Sequence, residues 1–352
     1  MAEQGDTNKH WPLVGNEHVV DFLSRSLAQE DIAGSYIFLG PHGLGKTTIA
    51  KFFLKNLLCE HRKQGENALP CEECSSCRQM NNRAEEGEDL SAVHSDYHLV
   101  KKEADKKNIS IEQIREFTKI LSMSSFLNSY KAGIIKDAES LTLEAANALL
   151  KTLEEPKQKV TVILIASDLE NIPDTVVSRS RVINFYPAPK DKIYDYLLND
   201  QQASRSMAKN LAHLSLGRPA LGIKFLQEKD FLDRYREKAE IFLDLLGRDL
   251  NEREEQLGRI IGDKASGREN HDQALNIIEI WRGVARDILL LNSRNRDLIQ
   301  HEILKEKLEQ AAAGFSSLQT LKMIGVLQKG EKQIESNVNP KLVLQNIVYN
   351  IG

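Results

Sequence analysis

The chain has 352 residues, of which 41% are hydrophobic, 28% charged and 6% aromatic, and its formal net charge at pH 7 is −4. This length predicts two or three domains, and the composition excludes a disordered chain, a membrane-spanning protein and a polycation. The N-terminal segment has no apolar stretch of the kind found in secretory signals, so we expect a soluble, cytoplasmic protein. Contacts with nucleic acid are expected to be local or shared with partner subunits.

The first half of the sequence alternates short apolar runs with helical patterns, which is typical of a parallel α/β sheet. A buried strand is predicted at Ser35–Leu39, followed by a helix from Lys46 to Leu58. Three further strands are predicted at residues 132–135, 160–165 and 182–185.

Two helices are predicted between these strands from their start and stop signals. Ser110 and Gln113 have the spacing of a capping box, in which the side chain of each residue accepts a hydrogen bond from the backbone N–H of the other. Thr142 is placed to cap the next helix, which Pro156 is expected to end.

A glycine-rich turn joins the first strand to the helix that begins at Lys46. Residues 40–47 read GPHGLGKT and match the phosphate-loop pattern G-x4-G-K-[ST]. Backbone N–H groups of such a loop surround phosphates, and the helix N-terminus adds positive potential. Lys46 is expected to reach the β- and γ-phosphates, and Thr47 to hold Mg²⁺. The sequence therefore predicts a site for ATP or ADP with Mg²⁺ at Gly40, Gly43, Gly45, Lys46, Thr47 and Thr48.

All four cysteines lie in one short stretch with the spacing C-x11-C-x2-C-x2-C, at Cys59, Cys71, Cys74 and Cys77. Four thiolates complete a tetrahedral zinc shell and leave no coordination position for water. Residues 60–70 are polar and have no core of their own, so a metal would hold this segment together. The stretch predicts structural Zn²⁺; a reactive C-x-x-C pair is the alternative.

The acids that a phosphate-loop ATPase needs are incomplete in this sequence. Such an enzyme holds Mg²⁺ with an acid at the end of a second strand and activates water with a further acid. The candidate strand end reads IIKDAE at residues 134–139, where only Asp137 is well placed and Lys136 occupies the position of an acid. A lysine there would repel Mg²⁺. We therefore expect nucleotide binding with weak or absent ATPase activity, and Asp137 as a degenerate catalytic acid.

Strand signals end after about residue 187. Residues 190–227 have the pattern of a small helical unit interrupted at Gly217-Arg218-Pro219. From residue 230 onward the pattern is entirely helical, most clearly from Gln273 to Leu291. The expected order is α/β, then a small helical unit, then a larger helical one.

The order of the motifs is that of a known family. The phosphate loop and the cysteine stretch are followed by NALLKTLEEP at residues 147–156 and by Ser178-Arg179-Ser180. In these motifs, over about residues 10–225, the chain resembles the bacterial clamp-loader subunits of DNA polymerase III, which are AAA+ proteins. The resemblance implies an AAA+ domain at residues 1–187 with a zinc module at 59–77, a helical lid domain at 188–228 and a helical collar domain at 229–352.

The family implies a hetero-pentamer that uses ATP to open a sliding clamp and place it on primer–template DNA. The implied partners are subunits of the tau/gamma and delta types, within a DNA polymerase holoenzyme. The tau/gamma subunits are the family's ATPase motors, whereas a stator subunit completes the ring and offers an arginine to a neighbouring motor's ATP site. The matching arginine in this sequence is Arg179, for which an ordinary surface ion pair is the alternative.

Several departures from the family's motor pattern favour the stator. Lys136 precedes Asp137 where motors carry adjacent acids, and Ala166-Ser167 replaces the threonine pair that senses the γ-phosphate. Ser180 replaces a cysteine, a small change that we expect to leave Arg179 in place. Arg218 lies near the family's second sensor position.

Two other functions compete with this interpretation. The chain could be a tau/gamma-like motor that hydrolyses ATP with Asp137. It could also be a nucleic-acid module that binds DNA through the cysteine knuckle and a basic cluster at Lys101, Lys102, Lys106 and Lys107. Such clusters are more often solvated loops, and few aromatic residues accompany this one. His94, Asp96 and His98 could share a strand face, but no further ligand is evident and we expect no metal there.

Overall fold

The computed structural model describes residues 11–62, 69–81, 94–103, 106–123, 125, 130–154, 159–249, 251–253, 256 and 268–351. Its contacts divide the chain into two compact units. The first comprises Met1–Pro189 with Arg218–Ala220, and the second comprises Lys190–Gly217 with Leu221–Gly352. Within the described residues, none of the helices has the length and apolar character needed to span a lipid bilayer. The finer division into three domains stays a prediction.

The first unit contains a five-stranded parallel sheet in the order β2-β3-β4-β1-β5. Its strands are β1 (Ser35–Leu39), β2 (Tyr97–Val100), β3 (Lys131–Lys136), β4 (Val160–Ala166) and β5 (Arg181–Asn184). Strand β1, which lies between β4 and β5, pairs Phe38 with Ile165 of β4 and with Ile183 of β5. In a parallel sheet the carboxyl ends of neighbouring strands meet at one edge, so the segments after β1, β3 and β4 lie side by side there.

The helices of the first unit are α1 (Glu17–Gln29), α2 (Lys46–Leu58), α3 (Ser75–Asn81), α4 (Ile111–Ser122), α5 (Leu143–Glu154) and α6 (Asp174–Val177). The capping box at Ser110 and Gln113 is present at the start of α4. The Thr142 hydroxyl accepts a hydrogen bond from the backbone N–H of Ala145 at 3.2 Å, as expected of a cap. Pro156, predicted to end α5, lies outside the described residues.

Two apolar cores cover the two faces of the sheet, because successive side chains of a strand point to opposite sides. Tyr36 and Phe38 of β1 pack with Phe53 of α2 in one core. Ile37, between them in sequence, packs with Phe117 of α4 and Leu149 of α5 in the other. Burial on both faces explains why the strand residues read as continuous apolar runs. The prediction of a parallel α/β unit is confirmed.

The second unit is helical, as predicted. Its helices are α7 (Lys190–Asn199), α8 (Arg205–Leu214), α9 (Pro219–Gln227, of which the first residues belong to the first unit), α10 (Lys229–Leu246), α11 (Arg268–Asn292), α12 (Lys305–Gly314), α13 (Ser317–Glu335) and α14 (Pro340–Asn350). Trp281 of α11 is fully buried in its core beside Phe242 of α10, with ring centroids 5.3 Å apart. The helix predicted at Gln273–Leu291 lies within α11.

A buried polar network crosses the second unit. The Asp287 carboxylate accepts hydrogen bonds from the backbone N–H of Gln300 at 3.0 Å and from the backbone N–H of His301 at 2.8 Å. The His301 ring contacts the same carboxylate through Nδ1 at 2.8 Å and the Tyr235 hydroxyl through Nε2 at 3.0 Å. The Gln300 side-chain amide donates to the carbonyl of Leu214 at 3.2 Å. The network therefore joins the end of α8 to α10 and α11.

Candidate functional site

The phosphate loop leaves the carboxyl end of β1 and turns directly into α2. Two glycines are required by its path. At Gly40 an added Cβ would meet the Phe185 carbonyl oxygen at 2.4 Å, and Gly43 has φ of +83°, a left-handed conformation that side chains disfavour. Gly45 is the N-cap of α2 and makes no side-chain capping bond, because it has no side chain. The first N–H groups of α2 thus lack a side-chain cap at the point where a phosphate would bind.

Lys46 is buried in the loop rather than extended into solvent, with 5% of its surface exposed. Its ammonium group donates hydrogen bonds to the carbonyls of Gly40 and of Pro41, the latter at 2.8 Å. Burial lowers the pKa of Lys46 to about 8, against the opposing attraction of Glu139 and Asp137. The cation expected to bind phosphate is therefore present at the loop, next to two acids. Thr47 is half-buried and Thr48 is exposed on the first turn of α2.

Two acids, rather than one, lie beside the phosphate loop. Asp137 follows β3 in a left-handed conformation with φ of 54°, and a short 3₁₀ turn at Ala138–Ser140 follows it. This turn brings Glu139 back to the same place, so that ligand atoms of His42, Asp137 and Glu139 all lie within 4.8 Å of one another. The expectation that Asp137 is the sole acid here was wrong. The signal that could have found Glu139 was its spacing, because it follows Asp137 by two residues in the turn after β3.

Ser167, the residue that follows β4, contacts the Glu139 carboxylate. Its backbone N–H and its hydroxyl both donate to Glu139 Oε1, the former at 3.3 Å. The link joins the residue after β4 to the turn after β3. It fixes the direction of the Glu139 carboxylate.

Arg218 packs over the phosphate loop within the first unit. An added Cβ at Gly43 would meet the Arg218 Cβ at 3.2 Å, and the backbone N–H of Ala220 donates to the Gly43 carbonyl at 3.1 Å. The start of α9 is thereby attached to the loop. This places Arg218 next to the nucleotide site that the loop would form.

Arg179 lies in the short segment that joins α6 to β5, and its side chain is 36% exposed. It donates to the Thr175 carbonyl at 3.0 Å and forms an ion pair with Glu154, at the end of α5, at 2.7 Å. The neighbouring Ser180 hydroxyl donates to the Val176 carbonyl at 2.9 Å and lies 2.7 Å from the Ser35 hydroxyl. The guanidinium is therefore at the surface but held by a carboxylate of its own chain, a partner that the sequence did not indicate.

The four cysteines converge as predicted. Their sulfur atoms form one group within 4.8 Å of one another, and none of them is in a disulfide. The sulfurs of Cys71 and Cys77 are 3.9 Å apart, close to the edge of about 3.8 Å that a tetrahedron with zinc–sulfur bonds of about 2.3 Å would have. The donor set and its spacing thus fit a four-coordinate zinc ion.

Backbone N–H groups point at the cysteine sulfurs. Cys71 N–H donates to the Cys59 sulfur at 3.3 Å, and Cys74 N–H to the Cys71 sulfur at 3.3 Å. Donation from the N–H groups of Glu73 and Cys74 lowers the pKa of Cys71 to about 6, whereas burial raises the pKa values of Cys59 and Cys77. Burial of unpaired thiols beside a stabilised thiolate suits a metal that would deprotonate them all.

The remaining sequence candidates do not assemble a site among the described residues. Asp96 forms a buried ion pair with Lys131 at 3.3 Å and accepts from the Ser125 hydroxyl at 2.7 Å. His94 contacts the Ser76 hydroxyl at 3.1 Å, which attaches the cysteine knuckle to the start of β2. In the basic cluster, Lys106 pairs with Glu103 at 3.0 Å. Of the His, Cys, Asp and Glu residues described, those at 94 and 96 belong to no potential metal group.

Comparison with known proteins adds to this geometry. A family model described as "DNA polymerase III, delta subunit" matches residues 15–189, about half of the chain. The chain is 26% identical over 334 residues to DNA polymerase III subunit delta′ of Bacillus subtilis, which covers 94% of both chains. It is 34% identical over 173 residues to DNA polymerase III subunit tau of the same organism, covering 49% of this chain and 28% of tau.

Among solved structures, the chain is similar to a DNA polymerase III gamma subunit-related protein from Thermotoga maritima. The two are 18% identical, with a TM-score of 0.43, and the match covers 94% of this chain and 97% of the other.

Proposed function

Because the chain belongs to the family of DNA polymerase III delta subunits, we propose that it is a clamp-loader subunit of the delta-prime type, which acts as a stator and supplies Arg179 to a neighbouring ATPase site. The observation that carries the assignment is its match to a delta-prime subunit along 94% of both chains. The match to tau covers only 28% of that subunit. The stator role would place the protein in the cytoplasm, in a ring with tau/gamma and delta subunits.

The position of Arg179 supports a role toward another molecule. Its side chain is at the surface, and an exposed ion pair such as that with Glu154 contributes about 0–1 kcal/mol. Replacing the Glu154 carboxylate with a phosphate as the partner of Arg179 would therefore cost little free energy. A guanidinium beside the γ-phosphate neutralises charge that develops in phosphoryl transfer, which is worth about 10³–10⁵ in rate where it has been measured best.

The chain's own phosphate loop supports nucleotide binding with little turnover. Gly40, Gly45 and Lys46 provide a phosphate cradle, and Thr47 would hold the Mg²⁺ of bound ATP or ADP. Lys136 ends β3 where a motor would carry an acid for that metal. In the same proposal, the four cysteines hold one structural Zn²⁺ that supports the knuckle.

The test is ATP hydrolysis by the reconstituted clamp loader, stimulated by sliding clamp and primed DNA, with Arg179→Ala in this subunit alone. We expect a loss of at least about tenfold in stimulated turnover. Arg181→Ala is the matched control, because Arg181 is also an exposed arginine in an ion pair, with Asp31 at 3.4 Å. It should leave turnover unchanged.

Two outcomes would reject the stator. Equal turnover by the Arg179 and Arg181 variants would make Arg179 a structural residue. Strong ATP turnover by the isolated chain, abolished by Lys46→Ala, would instead favour a tau/gamma-like motor. The observation that favours this second function is the pair of acids at Asp137 and Glu139 beside the phosphate loop.

A further inference from the structure

The second unit contains a groove beside α7 and α8, away from the phosphate loop. Its larger part is a cavity of about 470 Å³ lined by side chains of both helices. A smaller cavity of about 180 Å³ continues it to the segment before α12. The two cavities share Lys190, Lys209 and His213 in their linings, so they adjoin. We refer to them together as the α7–α8 groove.

The spacing of the sequence explains why these side chains face the groove together. Arg205, Lys209 and His213 are four residues apart along α8, and residues at this spacing lie on one face of a helix. Lys190 and Tyr194 have the same spacing on α7. Each helix therefore presents a row that includes cations to the groove.

Cations outnumber acids around the α7–α8 groove. Among the described residues that line it, the lysines and arginines are Lys190, Arg205, Lys209, Arg296 and Lys305, and the acids are Asp191, Asp297 and Glu302. Within the described part of the chain, the side chains of Lys190, Arg205 and Arg296 form no ion pair or hydrogen bond. Their positive charge is thus available to an anion in the groove.

Two polar contacts hold the walls of the groove in place. The Lys209 ammonium group donates to Glu302 Oε1 at 2.8 Å. The His213 ring contacts the carbonyl of Ile299 through Nδ1, also at 2.8 Å. Both contacts attach α8 to the segment before α12. The groove is therefore formed before any ligand binds, as is usual for small-molecule sites.

The shape and lining of the groove favour a compact ligand over an extended strand of nucleic acid. The larger cavity lies within the range of about 300–1,000 Å³ that is typical of small-molecule sites. Tyr194 and Ala212 add aromatic and apolar surface to its lining. Asp191 and Asp297 interrupt the row of cations and would repel a continuous phosphate backbone. The same acids can accept hydrogen bonds from hydroxyl or amino groups of a small ligand.

We propose that the α7–α8 groove binds a compact phosphate ester that carries a ring, such as a nucleotide. Lys190 and Arg205 contact its phosphates, and Tyr194 contacts its ring. A guanidinium and an ammonium group are the side chains that bind phosphate most strongly. The groove contains no part of the phosphate loop and requires no partner subunit, so the proposal is independent of the stator function.

The experiment is equilibrium dialysis of labelled ADP, without Mg²⁺, against the full chain carrying Lys46→Ala to remove binding at the phosphate loop. We expect about one ADP bound per chain. Adding Lys190→Ala or Arg205→Ala should weaken binding by about tenfold each, since each removes a charged contact with phosphate. Both side chains are exposed and unpaired, so these variants should fold. With Lys46 intact, Arg205→Ala should lower the number of bound ADP molecules by one, whether or not the phosphate loop binds ADP.

Arg234→Ala is the matched control, because Arg234 is an exposed arginine of α10 in the same unit but outside the groove. It should leave ADP affinity unchanged. The proposal is overturned if the Lys46→Ala chain binds no ADP at up to about 1 mM, or if Lys190→Ala and Arg205→Ala bind it with unchanged affinity. A DNA strand of about eight nucleotides that binds more tightly than ADP and is lost in Arg205→Ala would instead assign the groove to nucleic acid.

Discussion

At the residue scale, the electrostatics of the phosphate loop centre on Lys46. Its ammonium group is enclosed by carbonyls of the loop and has lost most contact with water. Removal from water disfavours the charged form, which is why the pKa of Lys46 falls to about 8. A bound phosphate would reverse this effect, because a negative charge beside the ammonium favours its protonated form.

Nucleotide affinity is therefore expected to fall as pH rises through the pKa of Lys46, about 8. The phosphate binds the protonated lysine, so affinity should drop by about tenfold between pH 7 and pH 9 as the competent fraction decreases. Fluorescent-nucleotide titrations across this range measure it. Lys46→Arg keeps its charge throughout and should remove most of the slope. An equal slope in that variant would assign the effect to another group.

Single residues could be predicted only where a motif marks them. Lys46 and the four cysteines were identifiable from spacing, and the structure brings each group together. Glu154, the ion-pair partner of Arg179, could not be identified, because the pair joins two segments that only the packing of α5 beside α6 brings close. The role of Ser167 toward Glu139 was missed for the same reason.

At the element scale, the cysteine knuckle has little apolar core apart from the cysteines themselves. Its other attachments are polar. Ser76 N–H donates to Glu60 at 3.1 Å, Ser76 contacts His94, and Lys55 of α2 binds Glu72. Such contacts are individually weak, so a metal is expected to provide most of the stability of this element.

We expect the purified chain to contain about one equivalent of zinc by metal analysis. Removing it with a chelator, or by Cys77→Ser, should increase hydrogen exchange across α3 while β1, buried in the sheet, stays protected. Ser75→Ala, a change at the exposed first residue of α3, is the control that should keep its zinc. A metal-free chain whose knuckle stays fully protected from exchange would refute the zinc assignment.

Elements with a strong apolar pattern could be predicted almost to the residue. β1 and α2 begin and end where predicted, and β3 and β4 extend the predicted runs slightly. β2 was not predicted as part of the sheet. It has only four residues, Tyr97–Val100, lies at the edge and is partly exposed, so its composition carries little signal. Its place depends on pairing with β3, which is a long-range contact.

At the scale of the whole molecule, the division into two compact units separates the phosphate-loop sheet from the helical second unit. Composition indicated where strands end, close to the start of α7. Composition could not indicate that the helices before and after Arg218 belong to the larger helical unit. One contact that joins them to it is the hydrogen bond from the Gln300 side-chain amide to the Leu214 carbonyl. Those contacts depend on side chains far apart in sequence.

Asp287→Ala should destabilise the second unit by about 3 kcal/mol or more, because the N–H groups of Gln300 and His301 would be left buried without an acceptor. Urea unfolding monitored by hydrogen exchange can show which of the two units loses stability. The control is Asp297→Ala, an exposed acid nearby, which should change stability by less than about 0.5 kcal/mol. Equal stability of the two variants would show that the network contributes nothing.

The ion pair of Arg179 with Glu154 has a consequence for how assembly is sensed. In the proposed role, the Arg179 guanidinium must leave the Glu154 carboxylate to contact the phosphates of a neighbouring subunit's nucleotide. The carboxylate and the phosphates therefore compete for the same guanidinium. A nucleoside triphosphate carries more negative charge than a diphosphate and therefore attracts the guanidinium more strongly. The strength of the Glu154 ion pair would thus determine whether Arg179 engages only a neighbouring subunit that holds a nucleoside triphosphate.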